Sequence, residues 1–190
     1  MKWLNEPPQW QLSDGRLTFR TSGQVDFWRH TLVNTVRDSG HLYYDTVDGD
    51  FVARVRFGGD YRDQYDQNGL VVRQDAENYL KAGVEFVLGS WEERYFYNGP
   101  ARLVNAALTA HGWSEWSVLP QSDEVHDAIW MEVRREGATF FVAHSLDGST
   151  FTPIKLFALP DAGPVMVGPY ATSPTGNGFD VWFDSLDIKQ

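Results

Sequence analysis

A lysine, a glycine and a glutamate alternate along one predicted strand, at Lys81, Gly83 and Glu85. Because successive side chains of a β-strand point to opposite faces, these three residues share one face. The preceding predicted strand adds Gln67 and Gly69 to that face. An ammonium, a carboxylate and an amide on one face can hydrogen-bond the polar groups of a ligand. The alternative is an ion pair between Lys81 and Glu85 on a solvated sheet, which adds little stability.

The two glycines give this face of the sheet little side-chain volume. A glycine inside a strand weakens the strand and often marks the close approach of a ligand or of another backbone segment. Gly69 and Gly83 therefore predict a trough on the water-facing side of the sheet. We expect Gln67, Lys81 and Glu85 to flank this trough, and we expect Glu85 to be the candidate catalytic group if the protein is an enzyme.

Aromatic residues make up 15% of the chain, including eight tryptophans, which is more than a core of this size needs. Rings placed at a surface can stack on the apolar face of a sugar while polar side chains bond its hydroxyls. For each tryptophan the alternative is that it caps the core. The predicted ligand-binding residues combine the polar face with aromatic and acidic neighbours: Asp26, Trp28, Tyr65, Gln67, Lys81, Glu85, Trp113, Trp116 and Tyr170.

The charge balance of the chain restricts its partners. The net charge is -10 and the sequence pI is about 4.8, so the long-range field repels nucleic acid and anionic membranes. The absence of cysteine excludes disulfides and favours a reducing compartment. The first ten residues lack the apolar segment of a signal peptide, and no stretch approaches the ~18 apolar residues of a membrane span. We predict a cytoplasmic protein whose partners are neither nucleic acid nor membrane.

Metal and cofactor motifs are missing from the sequence. The five histidines show no HxH or HExxH spacing, so a zinc site would need residues from distant strands. His41 is the first histidine to inspect for such a site. The carboxylates of DTVDGD lack the other ligands of an EF-hand loop and predict a hairpin turn instead. Nucleotide-binding and serine-hydrolase motifs are also absent, so we predict no metal and no cofactor.

Period-two alternation bounded by Gly, Asn, Asp and Pro predicts an all-β chain. Gly137 and Gly148 stand where hairpin turns need positive φ, and QSDEVHDAIW predicts a short helix or turn. So many strands favour two sheets packed face to face in one domain over residues 1–190. The predicted strands are Trp10–Leu12, Arg16–Thr21, Phe27–Arg29, His41–Asp45, Asp50–Phe57, Gln67–Gln74, Tyr79–Leu88, Arg94–Tyr97, Arg102–Thr109, Trp130–Arg135, Thr139–Ser145, Thr152–Ala158, Val165–Ala171 and Phe179–Ile188.

Six motifs in order resemble the regulation-of-enolase protein family: VDFWRH, GDFVARVRF, YDQNGLVVRQDAENYLKAGVEF, GWSEWS, SLDGSTF and VGPYATSP. The resemblance runs from about Trp10 to Ile188. It implies a concanavalin A-like jelly-roll sandwich of two antiparallel sheets, the lectin/glucanase fold. Members of the family usually have SDWS where this chain has a glutamate at Glu115, which leaves no short carboxylate there. The family brings no established catalytic residues, so none is carried over.

The resemblance also bears on catalysis. Retaining glucanases of this fold share an ExDxxE strand that supplies two carboxylates about 5 Å apart, and this sequence has no ExDxxE. Laminarinase-type hydrolysis is therefore not supported, although Glu85 could pair with Asp26 or Asp66. The hypothesis we favour is a domain that binds a carbohydrate or a sugar-derived metabolite. The alternatives are a glycoside-active enzyme that uses Glu85 and, from the family's name, a regulatory domain of carbohydrate metabolism that binds a protein partner.

Overall fold

The computed structural model describes residues 1–88, 100–119, 128–159 and 163–190, and these residues contain strands and no helix. None of them forms a helix that could cross a membrane. The strands are β1 (Lys2–Leu4), β2 (Trp10–Ser13), β3 (Arg16–Arg20), β4 (Phe27–Arg29), β5 (Val36–Asp38), β6 (His41–Val47), β7 (Phe51–Gly59), β8 (Gln67–Arg73), β9 (Tyr79–Val87), β10 (Ala101–Ala110), β11 (Trp113–Ser114), β12 (Ile129–Glu136), β13 (Thr139–Ser145), β14 (Thr152–Ala158), β15 (Val165–Thr172) and β16 (Asp180–Lys189).

The strands form two seven-stranded antiparallel sheets and one small ribbon. The first sheet has the order β1-β6-β15-β8-β9-β10-β11, and the second has the order β14-β13-β12-β7-β16-β3-β2. The ribbon consists of β4 and β5 alone. The predicted all-β sandwich of two antiparallel sheets is confirmed.

Every predicted strand within the described ranges overlaps an observed strand. The predicted strand at 94–97 and most of the predicted helix or turn at 121–130 lie outside the described residues. Gly137 and Gly148 have φ of 57° and 75°, as their hairpin turns require. Alternation does not predict β1, β5 and β11, because two or three residues are too few to show it.

The core lies between the two sheets and follows the predicted alternation. On β7, Phe51, Ala53, Val55 and Phe57 are all buried in this core, whereas Arg54 on the opposite face is exposed. The first sheet contributes residues of one parity from β8 and β9, namely Leu70, Val72, Leu80, Ala82 and Val84. The other parity of these two strands points away from the core, and that face carries the candidate site.

The β4–β5 ribbon covers part of this second face. Phe27 of β4 is buried with Val71, Tyr79 and Tyr170 of the first sheet in a separate apolar cluster. The rings of Phe27 and Tyr79 lie 6.0 Å apart, centroid to centroid. We call the side of the first sheet under the ribbon the covered face, defined by Gln67, Val71, Lys81, Glu85 and Tyr170.

An ion pair at the end of the ribbon also fastens it to the sheet. Arg73 of β8 donates two hydrogen bonds to the carboxylate of Asp38, at 2.8 and 2.9 Å. Two parallel hydrogen bonds between a guanidinium and a carboxylate fix the geometry of the pair as well as strengthening it. Phe27 and Asp38 stand opposite each other in the ribbon register, so the packing and the ion pair hold the same end of the ribbon against the sheet.

The second sheet ends at β14, an edge strand with a proline in it. Ala143 of β13 stands opposite Pro153 of β14, and the register shifts between Val142 and Ala143. Lys155 also lies on this strand. Proline has no backbone N–H and a bulge bends the strand, so β14 presents an irregular edge.

Candidate functional site

The polar residues of the covered face are buried. Lys81 is 2% exposed, Glu85 is 4% exposed and Gln67 is 3% exposed. The prediction that this face points to water is therefore wrong, although the prediction that the three residues share a face is correct. The physical reason is that other segments pack against this face: Phe27 of the ribbon lies in the apolar cluster with Val71, Asp26 contacts Lys81, and Trp116 contacts Glu85.

Lys81 forms its ion pair with the ribbon segment and not with Glu85. Its Nζ lies 3.3 Å from Oδ1 of Asp26, which is itself only 7% exposed. The same Nζ lies 5.7 Å from the centroid of the Trp28 indole, within the range of a cation–π interaction. Lys81 thus joins β9 to two predicted site residues on either side of Phe27.

Glu85 accepts two hydrogen bonds through the same oxygen. Nδ2 of Asn105 lies 2.8 Å from Oε2, and Nε1 of Trp116 lies 3.2 Å from it. Burial raises the pKa of Glu85 from 4.5 to about 7, against the lowering effects of the Lys81 charge and these hydrogen bonds. The charge of Asp26 raises the pKa further. Glu85 therefore changes charge near neutral pH.

Gln67 links two more predicted site residues. The Tyr170 hydroxyl donates a long 3.5 Å hydrogen bond to Oε1 of Gln67, and Nε2 of Gln67 donates to the backbone carbonyl of Tyr65 at 3.3 Å. Tyr170 is fully buried, so the expectation that this ring lies at a surface where it can stack on a sugar is wrong. It lies beneath the site because β15 runs beside β8, with Tyr170 opposite Gly69. Burial keeps the pKa of Tyr170 well above its usual value.

The two tryptophans of GWSEWS differ in exposure. Trp116 is half-buried beside Glu85, whereas Trp113 on the edge strand β11 is 61% exposed. The ring contact of Trp113 is with His30, at 5.2 Å between centroids. The structure thus brings Trp116 to the carboxylate and places Trp113 against the ribbon.

Asn105 is a further site residue, absent from the predicted set. It is buried on β10, directly opposite Gly83 in the register, and its side chain contacts Glu85. The available signal was a single amide, on the same parity as Leu103 and Ala107, within the apolar run 103–108. An interior polar residue of this kind needs a partner and therefore points to a polar cluster.

Asp66 has a structural role in the loop before β8. Its Oδ1 accepts a 2.6 Å hydrogen bond from the Ser173 hydroxyl. Its Oδ2 accepts bonds from the backbone N–H groups of Arg62 and Asp63, each at 2.9 Å. Asp66 therefore organises the loop before β8. Of the two carboxylates suggested as partners of Glu85, only Asp26 forms an ion pair with Lys81 on the covered face.

The two glycines have a backbone explanation. A Cβ atom at Gly83 would lie 2.0 Å from the carbonyl oxygen of Asn68, and one at Gly69 would lie 2.1 Å from that of Ala82. Gly69 and Gly83 face each other in the register. A strand glycine often marks the close approach of a ligand or of another backbone segment. At Gly69 and Gly83 it is the backbone of the neighbouring strand that approaches.

His41 was the first candidate for a metal ligand, but both of its ring nitrogens already form hydrogen bonds within the fold. Its Nδ1 lies 2.5 Å from the carbonyl oxygen of Asn5, and its Nε2 accepts a 3.0 Å hydrogen bond from the backbone N–H of Ser22. This pattern requires a neutral ring with its proton on Nδ1. Burial lowers the pKa of His41, with the Asn5 bond acting in the opposite direction.

These features define the class of the protein. Two antiparallel seven-stranded sheets with a covered polar face form a jelly-roll β-sandwich of the concanavalin A-like kind. Residues 3–190 match the family described as "Protein of unknown function (DUF1349)", and the chain belongs to this family.

Comparison with known proteins agrees with that assignment. The chain is 33% identical over 186 residues to "Regulation of enolase protein 1" of Saccharomyces cerevisiae, covering 98% of this chain and 87% of that protein. A crystal structure of a functionally unknown protein from Saccharomyces cerevisiae has a TM-score of 0.87 at 31% identity and covers 99% of this chain and 95% of that one. The resemblance to the regulation-of-enolase family is confirmed.

A more distant structure shares the fold alone. The carbohydrate-binding module CBM66 of Bacillus subtilis has a TM-score of 0.59 at 12% identity, covering 99% of this chain and 95% of that module. The likeness confirms the jelly-roll architecture over nearly the whole of both chains.

Proposed function

We propose that this protein binds a small carbohydrate or a sugar-derived metabolite on the covered face of the first sheet. The observation that carries the proposal is the buried cluster of Asp26, Lys81, Glu85, Gln67 and Asn105. Buried charges lower stability unless they are well paired, and such groups concentrate at functional sites. The likeness to a carbohydrate-binding module is consistent with the proposal.

Each side chain has a distinct role in this proposal. Lys81 has three N–H donors and uses one of them on Asp26, so it can donate to a ligand oxygen. Glu85 accepts or donates according to its charge, and Gln67 orients a hydroxyl. The indoles of Trp28 and Trp116 are half-buried and supply the apolar surface on which a sugar ring stacks.

The test is a titration of single sugars and sugar acids followed by tryptophan fluorescence and melting temperature. We expect a saturable fluorescence change and a rise in melting temperature, because a ligand that binds only the folded state stabilises it. Lys81→Met should abolish the response, and Lys189→Met on an exposed lysine should keep it. Glu85→Gln, a milder change, should weaken it. A panel with no response in the wild-type protein contradicts the proposal.

A glycoside-active enzyme is the second candidate, and the pKa of Glu85 favours it. A carboxyl group with a pKa of about 7 suits general acid or base chemistry at neutral pH. Asp26 supplies a second carboxylate in the same cluster. In this case Glu85→Gln should lose turnover of an oligosaccharide while retaining binding. An oligosaccharide screen without products would exclude this function and leave the binding proposal intact.

A further inference from the structure

The ion pair between Lys81 and Asp26 sets the charge of the proposed site. Both side chains are buried, and the carboxylate Oδ1 lies 3.3 Å from the ammonium. The same Oδ1 accepts a 2.8 Å hydrogen bond from the backbone N–H of Phe27, which fixes its position. The positive charge of Lys81 is therefore offset before any ligand arrives.

Glu85 makes the cluster more acidic. Its carboxyl group lies near enough to Lys81 and Asp26 for their charges to act on it in opposite directions. With Glu85 ionised, two carboxylates stand against one ammonium, and with Glu85 protonated the charges balance. In neither state does the cluster have the net positive charge that would favour the binding of an anion.

Some buried polar atoms near the cluster lack hydrogen-bond partners in the described part of the chain, and Oδ1 of Asn105 and Oγ1 of Thr172 are among them. Asn105 contacts Glu85, and Thr172 stands opposite Gln67 in the register. An amide oxygen needs a donor, and a ligand carboxylate is only an acceptor, whereas a sugar hydroxyl both donates and accepts.

Building on the proposed function, we infer that the covered face selects uncharged sugars and that Asp26 is the residue that discriminates against acidic ones. A neutral sugar satisfies Lys81 and Asn105 through hydroxyl groups without adding charge. An acidic sugar would bring a second or third negative charge into a buried site where Coulomb repulsion is strong. Asp26 opposes this anion by neutralising Lys81.

The experiment compares matched sugar pairs that differ only at one carbon, glucose with glucuronate and galactose with galacturonate, by calorimetric titration. We expect the wild-type protein to bind the neutral member of a pair at least about tenfold more tightly. Asp26→Asn keeps the shape and an acceptor for Phe27 but removes the charge, so the preference should fall by at least about tenfold. Asp180→Asn removes one charge from an exposed ion pair on the second sheet and should leave the preference unchanged.

The outcomes separate this inference from the proposed function. If the wild-type protein binds uronates as tightly as neutral sugars, the inference is overturned and the binding proposal stands. If Asp26→Asn binds but keeps the wild-type preference, Asp26 is not the discriminating residue. If neither member of any pair binds, the proposed function fails together with the inference. Should Asp26→Asn not fold, the wild-type comparison alone still decides whether the site selects uncharged sugars.

Discussion

At the scale of single residues, Glu85 shows how burial changes an acid. Its folded-state pKa of about 7 lies above the ordinary value of 4.5, so the folded state binds a proton more tightly than the unfolded state. The stability from this proton is fully present below about pH 4.5 and is lost as the pH rises through about 7. Ionised Glu85 thus lowers the stability of the fold at alkaline pH.

Glu85→Gln should therefore raise the free energy of unfolding at about pH 8 and change it little at about pH 4.5. The pKa difference corresponds to about 3 kcal/mol between these two conditions. Urea denaturation of both proteins across this range measures it. Glu136→Gln, on an exposed glutamate, should show no such divergence. Parallel stability curves for Glu85→Gln and the wild type would contradict the raised pKa.

His41 has a proton linkage of the opposite sign. Its pKa is lowered below 6.5, so below about pH 6.5 the unfolded state binds the extra proton and the folded state loses stability as the pH falls. His41→Gln should remove this acid sensitivity while lowering stability at neutral pH, since two hydrogen bonds are disturbed. Denaturation at about pH 7.5 and pH 5.5 tests this, with exposed His111→Gln as the control. Equal acid sensitivity in His41→Gln and wild type would refute it.

At the scale of elements, the pairing of β8 with β9 depends on two glycines. A methyl group at Gly83 would lie 2.0 Å from the Asn68 carbonyl oxygen, and a backbone atom cannot move aside as a flexible side chain can. Gly83→Ala should therefore lower the free energy of unfolding by about 2 to 3 kcal/mol. Gly163→Ala is the control, because a methyl group there meets no atom within 4 Å. Equal melting temperatures for the two variants would show that β8 and β9 can separate at low cost.

At the scale of the whole molecule, the net charge of -10 works against the compact state. Self-repulsion of like charges destabilises a folded protein and is screened by salt. We expect the melting temperature at pH 7.5 to rise by a few degrees between about 0.01 and about 0.5 M sodium chloride. The surface ion pairs act in the opposite direction but are individually weak. A melting temperature that falls with salt would mean that the ion pairs outweigh the repulsion.

The sequence predicts the fold well because the alternation is local. The parity of Lys81, Gly83 and Glu85 follows from neighbouring residues alone, and it places the three on one face, as observed. The burial of that face could not be predicted in this way. It depends on contacts between residues far apart in the sequence: Asp26 with Lys81, 55 residues apart, and Asp38 with Arg73, 35 residues apart. Hydrophobic periodicity describes neighbouring residues of one strand and carries no information about contacts between residues so far apart.

The irregular edge at β14 affects how copies of this chain behave toward one another. An exposed sheet edge offers unpaired backbone groups on which a strand of another molecule can grow, which is a common route to aggregation. Pro153 leaves this strand without one N–H donor, and the register shift between Val142 and Ala143 bends it. An incoming strand would therefore meet gaps in the hydrogen-bond ladder. The second sheet thus carries on this edge its own protection against strand-by-strand polymerisation.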